Sequence, residues 1–352
     1  MYTLSDASRQ TKKALKILAA TIVALFVLVF VIRGLSAVIT KLFPPAPPKP
    51  TLVFGKLTAI AFPQNITDAK LTYSIDTLTG DLPPISVQAR VYEILQPQPD
   101  LLAVTKAQSM AATAGFNSSA TEISDRVFEW LDKSYGTGLP RSMRMDTLSY
   151  NFNIYSQYAS NSALLSASNL PNQEQAVSLV KNTLSGMGLL GTDIDLSKTQ
   201  THLYALRNGS LTTSTSLSNT QIILVVMYQQ DVNGLPIYYE KPNSSNINFL
   251  VAGSSVGSGQ IVGGTYAHQQ VSDIWGTYPL KTTQQAFAEL KQGKAYLASY
   301  YGTSNKVSIR NAFLAYYMSS QPQNFLMPII VFQGDNGFFA YTSAVTDVYI
   351  NK

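Results

Sequence analysis

The longest apolar stretch of the chain lies at residues 17–32 (ILAATIVALFVLVFVI), where Thr21 is the single polar residue. The apolar character resumes after Arg33 and continues to residue 40. A helix over 17–40 would be about 36 Å long, which is enough to cross a hydrocarbon core about 30 Å thick. We predict a transmembrane helix at 17–40 rather than a buried core helix, because the run is apolar on all faces and its flanks are basic.

This span is interpreted as an uncleaved signal anchor. Its apolar region exceeds the roughly 7–15 residues of a cleaved signal peptide, and Ser36-Ala37 is a poor cleavage site. Four basic residues precede the apolar run at 17–32 and three follow it, so the positive-inside rule puts the short tail at 1–16 in the cytoplasm. The body is poor in charge and rich in Ser, Thr, Asn and Tyr, and we predict that it lies outside the cell membrane.

A proline-rich segment separates the span from the body. Residues 44–50 read PPAPPKP, a composition that favours polyproline II and forms a semi-rigid spacer. We predict a linker at 41–52. An SH3-type ligand is the alternative, and a position outside the membrane disfavours it.

Three helical patterns follow, and each belongs to one predicted unit of the body. The first begins at Asp100 and keeps its apolar residues on one face as far as Gly115. The second begins at Asn172 and the third at Thr282, each with Gln three residues on, as in a capping box. The predicted units are 53–165, 166–275 and 276–352.

Strand-like segments rich in Val, Ile, Thr, Tyr and Phe follow each helix, for example at 126–133 and 146–155. Asn-Gly pairs occur at 208–209, 233–234 and 336–337, and such pairs suit the positive φ angles of type I′ hairpins in antiparallel sheets. Regular β-α-β alternation is missing, which argues against a Rossmann-type sheet. The predicted fold class is α+β, with a transmembrane helix followed by tandem units of a helix plus an antiparallel meander.

Composition and charge exclude several classes of function. The 352 residues include no Cys and only two His, which excludes disulfide scaffolds, thiolate metal sites and cysteine nucleophiles. The net charge of +5 arises in the first fifty residues, which carry +6, whereas the rest of the chain carries −1. A neutral body has no basic stripe for a phosphate backbone, so we predict no nucleic-acid partner.

The order of these elements resembles that of the YycH/YycI-type regulators and other PepSY-like extracytoplasmic modules. Four segments carry the similarity: 226–237 (VMYQQDVNGLPI), 280–293 (LKTTQQAFAELKQG), 307–317 (VSIRNAFLAYY) and 327–332 (MPIIVF). A helix with A-x-x-x-L-x-x-G, a strand ending in Tyr-Tyr and a strand beginning P-x-x-x-F succeed one another as in that family. The resemblance covers about 170–345 and the anchor, and it implies an anchored regulator of a membrane histidine kinase.

Two short motifs have candidate chemistry on or near the second helix. Ser178 and Lys181 match the S-x-x-K motif of serine acyl-transferases, but the partner motif K-T-G is incomplete at Lys281. We interpret Ser178 and Lys181 as a solvated helix face. Asp193 and Asp195 form a D-x-D pair without the continuation of a calcium loop, and we interpret them as a loop at the helix exit.

The remaining motifs also favour a structural interpretation. Residues 253–257 match G-x-S-x-G with Ser255 as nucleophile, but no helix pattern follows and no acid lies between Ser255 and His268. His202 and His268 are far apart in sequence, without an H-E-x-x-H motif. We therefore predict no catalytic, metal-binding or cofactor-binding residues and no small-molecule cofactor.

Aromatic residues raise the hypothesis of a peptide groove. We favour the interpretation that these residues occupy ordinary positions in the core and at the rim of the sheets. They are Trp130, Trp275, Tyr238, Tyr239, Tyr316 and Tyr317.

The predicted function is protein–protein interaction by a single-pass membrane protein, regulatory toward a membrane or cell-envelope partner. Exposed sheet edges would accept a partner strand by β-augmentation. The alternatives are a structural or cell-wall-binding envelope component and, with less support, an envelope hydrolase. Convergence of Ser178, Lys181, Ser255 or the Asp pair in one pocket would favour the hydrolase.

Overall fold

The structure, a computed structural model, describes residues 4–42, 48–67, 69–132, 141–160, 169–253 and 260–351. The chain divides into two compact units, Met1–Lys49 and Pro50–Lys352. The first unit contains the N-terminal helix. The second is a body of mixed α+β structure in which most residues of regular structure belong to β-sheets.

Helix α1 spans Leu4–Leu42 and contains the stretch predicted to cross a membrane. Within it, the 20 residues Leu15–Gly34 have a mean hydropathy of 2.9, and none of this window is buried. Thr21 fits the apolar helix because its hydroxyl donates a hydrogen bond to the carbonyl oxygen of Ile17 at 2.8 Å. At 1.5 Å per residue this window is about 30 Å long, so the helix is long and apolar enough to span a bilayer.

The larger sheet of the body has nine strands, each antiparallel to its neighbours. At its centre, the strand Phe152–Tyr155 pairs with the strand Ile261–Tyr266, which comes from a distant part of the chain. The spatial order is β4 (Thr121–Ser124), β5 (Val127–Asp132), β6 (Arg141–Asp146), β7 (Phe152–Tyr155), β13 (Ile261–Tyr266), β12 (Ile247–Ala252), β10 (Ile222–Gln229), β8 (Ile194–Arg207) and β9 (Ser210–Thr213).

Two helices pack against this sheet, α2 (Ala103–Thr113) and α3 (Gln173–Gly186). The amide of Gln175 donates to the side chain of Asn172 at 2.8 Å, and the amide of Asn172 donates to the side chain of Gln175 at 2.9 Å. This capping box satisfies two amides that the first helical turn leaves unpaired, and it confirms the predicted start. The helical residues buried in the core are Ala107, Ala111, Ala176, Val180 and Leu184.

The second sheet has eight strands. Strands β11 (Ile237–Tyr238) and β2 (Thr72–Ile75) run parallel to β16 (Lys306–Tyr317), and the other pairs are antiparallel. The main path runs in the order β11, β16, β17 (Phe325–Gly334), β18 (Phe338–Ser343) and β15 (Tyr296–Ser299). Three strands lie off this path. Strand β2 pairs with β16, and β3 (Gln88–Ile94) pairs with both β17 and β14 (Val271–Pro279).

Helix α4 (Thr283–Lys291) packs on the second sheet and buries Phe287 and Leu290. It begins with a capping box between Thr282 and Gln285, as predicted. A separate parallel pair, β1 (Leu57–Thr58) and β19 (Ile350–Asn351), brings the two ends of the body together.

The chain passes between the two sheets in three segments, and the junction between the sheets holds the candidate site. One segment runs from β3 through α2 into β4, one leaves β10, forms β11 and returns to β12, and one runs from β13 into β14. Gln269 fastens the junction, because its side-chain amide donates to the carbonyl oxygens of Ser319 at 2.8 Å and Gln321 at 3.0 Å. Its side-chain oxygen accepts from the amide of Gln323 at 2.9 Å.

The predicted hairpins are confirmed where Asn-Gly pairs occur. Asn208, Asn233 and Asn336 have φ angles of 50°, 51° and 55°, and the glycines that follow also have positive φ. These turns connect β8 to β9, close the bridge between residues 232 and 235, and connect β17 to β18.

Other predicted boundaries differ from the structure. The predicted strand at 146–155 is broken by a turn, because the carboxylate of Asp146 accepts hydrogen bonds from the amides of Leu148 and Ser149. The segments predicted as separate units share sheets, since β7 pairs with β13 and β3 pairs with β14 and β17. Of the predicted linker, residues 43–47 lie outside the described residues, and Leu52 already bonds to Thr277 of β14.

Candidate functional site

A cleft of about 380 Å³ opens at the junction of the two sheets, and we call it the junction cleft. Its volume lies within the range of about 300–1,000 Å³ that is usual for ligand sites. One wall is formed by 197–200 of β8 with Tyr228 and Gln229 of β10. The other wall is formed by β11 and the residues on either side of it (236–239), together with Lys241, Asn243 and Ser244.

Tyrosines give the junction cleft an apolar surface with hydroxyl groups. The rings of Tyr228 and Tyr239 lie 6.2 Å apart, between centroids. Burial, with a smaller contribution from the neighbouring Tyr239, raises the pKa of Tyr228 to about 12. Burial also raises the pKa of Tyr238 and Tyr239, so these three hydroxyls stay neutral near pH 7. The hydroxyl of Tyr228 donates to the side-chain oxygen of Gln200 at 3.3 Å, and that of Tyr239 accepts from the amide of Gln229 at 3.3 Å.

The charged groups of the junction cleft differ in how they are paired. The ammonium of Lys198 lies 2.6 Å from a carboxylate oxygen of Asp231 and 3.9 Å from one of Asp195. Lys241 is exposed and makes no ion pair with any described residue. The cleft therefore presents one cation that is not neutralised by a neighbouring carboxylate.

A partly buried polar pair lies next to Gln229. The Nε2 atom of His268 lies 2.8 Å from Oδ2 of Asp193, and the side-chain amide of Gln229 donates to the same oxygen at 2.9 Å. Gly191 makes room for this contact, since a Cβ there would lie 2.5 Å from Oδ1 of Asp193. The pair joins the loop before β8 to the segment after β13.

The ionisation of Asp193 reflects two opposing effects. Burial acts to raise the pKa of its carboxyl, but the hydrogen bond and charge of His268 and the hydrogen bond from Gln229 outweigh burial. The pKa of Asp193 therefore lies below its ordinary value of 3.8. A carboxyl with a depressed pKa in the folded state contributes stability above its ordinary pKa, and this is lost as the pH falls through the folded-state value.

We expect Asp193→Asn to lower the stability of the body by about 1 kcal/mol at neutral pH, because a charge-assisted hydrogen bond on a partly exposed group is lost. The difference from the wild type should shrink as the pH falls below 3.8. Urea denaturation of the full chain in detergent micelles over a pH series measures both. Asp273→Asn, at an exposed carboxylate, is the control. A difference that persists unchanged into the acid range would contradict the assignment.

The structure separates most of the residues that the sequence singled out. Ser178 and Lys181 are exposed on α3, and the ammonium of Lys281 is instead held by Glu289 and Asp347 at 2.8 Å each. Ser255 lies outside the described residues. These groups do not converge in one pocket among the residues that the structure describes.

The D-x-D pair divides between two roles. Asp193 belongs to the junction, whereas Asp195 accepts hydrogen bonds from the amide and hydroxyl of Ser197. His202 lies on β8 opposite Leu224 of β10. His268 follows β13, which is separated from β8 by the strands β10 and β12. Within the described ranges no group of three or more His, Asp or Glu side chains is placed to hold a metal ion.

The aromatic residues proposed for a peptide groove also divide. Trp130, Tyr316 and Tyr317 are fully buried core residues. Trp275 is 38% exposed and lies under the guanidinium of Arg90 at 3.9 Å from its ring centroid. Tyr238 and Tyr239 do line the junction cleft, so two residues of this hypothesis belong to the candidate site.

Comparisons with known proteins give a structural likeness alone. No protein-family model and no curated protein matches the chain. The chain is similar to the crystal structure of an uncharacterized protein from Eubacterium rectale ATCC 33656, with 13% sequence identity and a TM-score of 0.40. The match covers 81% of this chain and 92% of that one.

Proposed function

We propose that the protein is a single-pass, membrane-anchored extracytoplasmic protein that acts by protein–protein interaction and regulates a membrane or envelope partner. The observation that carries this proposal is the 20-residue window Leu15–Gly34, whose apolar side chains are all left unburied. Apolar surface of this extent is stable in lipid and costly in water. Beyond this helix, the body offers an open cleft suited to a ligand.

Charge and architecture support the finer parts of the proposal. Four basic residues before the apolar run at 17–32 against three after it favour a cytoplasmic tail and an extracytoplasmic body. We infer that the body derives from tandem helix-plus-meander units of PepSY/YycI type. In support, α2 precedes β4–β7, α3 precedes β8–β13, and α4 precedes β15–β18. The resemblance to YycH/YycI-type proteins supports the regulatory role.

Single cysteines test location and interaction together, because the chain has no Cys. Ser197→Cys lies on the wall of the junction cleft, and Ser178→Cys is a matched control on the exposed face of α3. We expect a membrane-impermeant, thiol-directed photo-crosslinker to label both variants in intact cells. Only Ser197→Cys should then give an abundant adduct with a partner protein, identified by mass spectrometry.

A variant in which 17–40 is replaced by an unrelated span shows where recognition resides. Retention of the adduct would assign recognition to the body, whereas its loss would assign it to the span. Labelling of neither cysteine before lysis would contradict the extracytoplasmic location. Efficient labelling without any protein adduct from either position would contradict the interaction role.

A further inference from the structure

Strand β11 leaves part of its backbone unpaired on the side that faces the junction cleft. The amide of Tyr316 donates to the carbonyl oxygen of Pro236 at 2.8 Å, and the amide of Met318 donates to that of Tyr238 at 2.9 Å. Successive residues of a strand direct their backbone groups to opposite edges. Tyr238 therefore faces β16, whereas the N–H and C=O groups of Ile237 and the N–H group of Tyr239 face away from it.

These three backbone groups have no hydrogen-bond partner within the described parts of the chain. Ile237 and Tyr239 both line the junction cleft. Two residues along a strand span about 6.6 Å, which matches the repeat at which a second extended strand offers its own N–H and C=O groups. A strand edge with unpaired backbone groups that lines a cleft is a template for adding a strand from another chain.

Side chains around this edge indicate what kind of strand would fit. The ring of Tyr228 is half-buried and lies beside Tyr239, so it offers apolar contact to one side of a bound peptide. Lys241 provides a cation without an ion-pair partner in the described chain, while Lys198 is already paired with Asp231. This charge arrangement favours an acidic side chain on the ligand.

We propose that the junction cleft binds an extended, acidic peptide segment of a partner protein as an added strand on β11. The peptide backbone bonds to the N–H and C=O groups of Ile237 and to the N–H group of Tyr239, and its carboxylate pairs with Lys241. This proposal rests on the interaction role above and names the chemistry of the partner. Added strands gain affinity from main-chain bonds and specificity from alternate side chains.

The test begins with selection of binders from a phage-displayed library of random peptides, using the full chain in lipid nanodiscs. We expect peptides that carry Asp or Glu. Lys241→Glu should weaken their binding at least about tenfold, the size of about 1.4 kcal/mol in a charge-assisted contact. Lys294→Glu, at an exposed lysine outside the cleft, should leave binding unchanged.

N-methylation along one selected peptide separates strand addition from side-chain binding. We expect N-methyl groups at every second peptide residue to abolish binding, because the amides at these positions face β11. N-methyl groups at the residues between them should be tolerated, because those amides face away. Hydrogen exchange at residues 237–239 should slow when the peptide binds. The proposal would be overturned if the library yields no binding peptides or if Lys241→Glu binds them as tightly as the wild type. It would also be overturned if N-methylation reduces binding without a two-residue period. A partner adduct at Ser197→Cys together with any of these results would leave the interaction role standing.

Discussion

We expect Arg141→Met to lower the free energy of unfolding of the body by about 3–5 kcal/mol, the usual cost of removing one member of a buried ion pair. The side chain of Arg141 is fully buried and lies 3.0 Å from a carboxylate oxygen of Asp132, which is 5% exposed. Methionine is similar in length to the aliphatic part of the arginine side chain, but it has no charge. The carboxylate of Asp132 would therefore lose its Arg141 partner inside the core.

The other contacts of Arg141 explain why the loss is large. Its guanidinium donates to the carbonyl oxygen of Ile261 at 2.7 Å and to that of Ala114 at 3.3 Å, and it lies 4.2 Å from the ring centroid of Phe116. These contacts connect β6 with β13 and with the end of α2. One side chain therefore fastens three separate chain segments across the larger sheet.

Arg144→Met is the matched control on the same strand. Arg144 bonds to Glu129 at 2.8 Å, but its side chain is 58% exposed, and an exposed ion pair contributes about 0–1 kcal/mol. Urea denaturation of the full chain in detergent micelles, followed by the fluorescence of buried Trp130, measures both variants. Equal losses from the two substitutions would contradict a structural role for the buried pair. Arg141→Met combined with Asp132→Leu should recover part of the loss, because no buried carboxylate remains.

The features that could be predicted from the sequence are those that local residues determine. A capping box needs two residues three apart, as at Asn172 and Gln175, and both predicted boxes form. An Asn-Gly turn needs only two adjacent residues that tolerate positive φ. The apolar stretch of α1 is also local. These elements depend little on what the rest of the chain does.

The features that could not be predicted depend on contacts between distant residues. Asp193 and His268 are 75 positions apart, and neither has a sequence neighbour that points to the other. Arg141 gave no signal of burial, since arginine is almost never fully buried without a partner, and its acceptor at Ile261 is 120 positions away. Strand β11 lies within the predicted strand-like segment at 236–239, but its parallel pairing with β16, which sets Tyr238 opposite Tyr317, has no local signal in the sequence.

Gly264→Ala should destabilise the body by about 3 kcal/mol or more, because it combines backbone strain with overlap at the centre of the larger sheet. Gly264 has a φ angle of 146°, which side chains disfavour, and a Cβ there would lie 2.5 Å from the carbonyl oxygen of Asn248. The residue pairs with Phe249 of β12 and with Ile154 of β7. Neither neighbouring strand can retreat without losing ladder hydrogen bonds, so the overlap cannot be relieved by a side-chain rotation.

The adjacent Gly263→Ala isolates this effect. A Cβ at Gly263 would make an ordinary contact of 3.4 Å with Leu250, and its backbone is not in the left-handed region. We expect a change below about 1 kcal/mol for Gly263→Ala. Thermal and urea denaturation of both variants in the full chain provide the comparison, and similar losses would contradict the pairing of β13 between β7 and β12. Because β13 leads directly into His268, disruption at Gly264 should also reduce peptide binding in the junction cleft, whereas Gly263→Ala should preserve it.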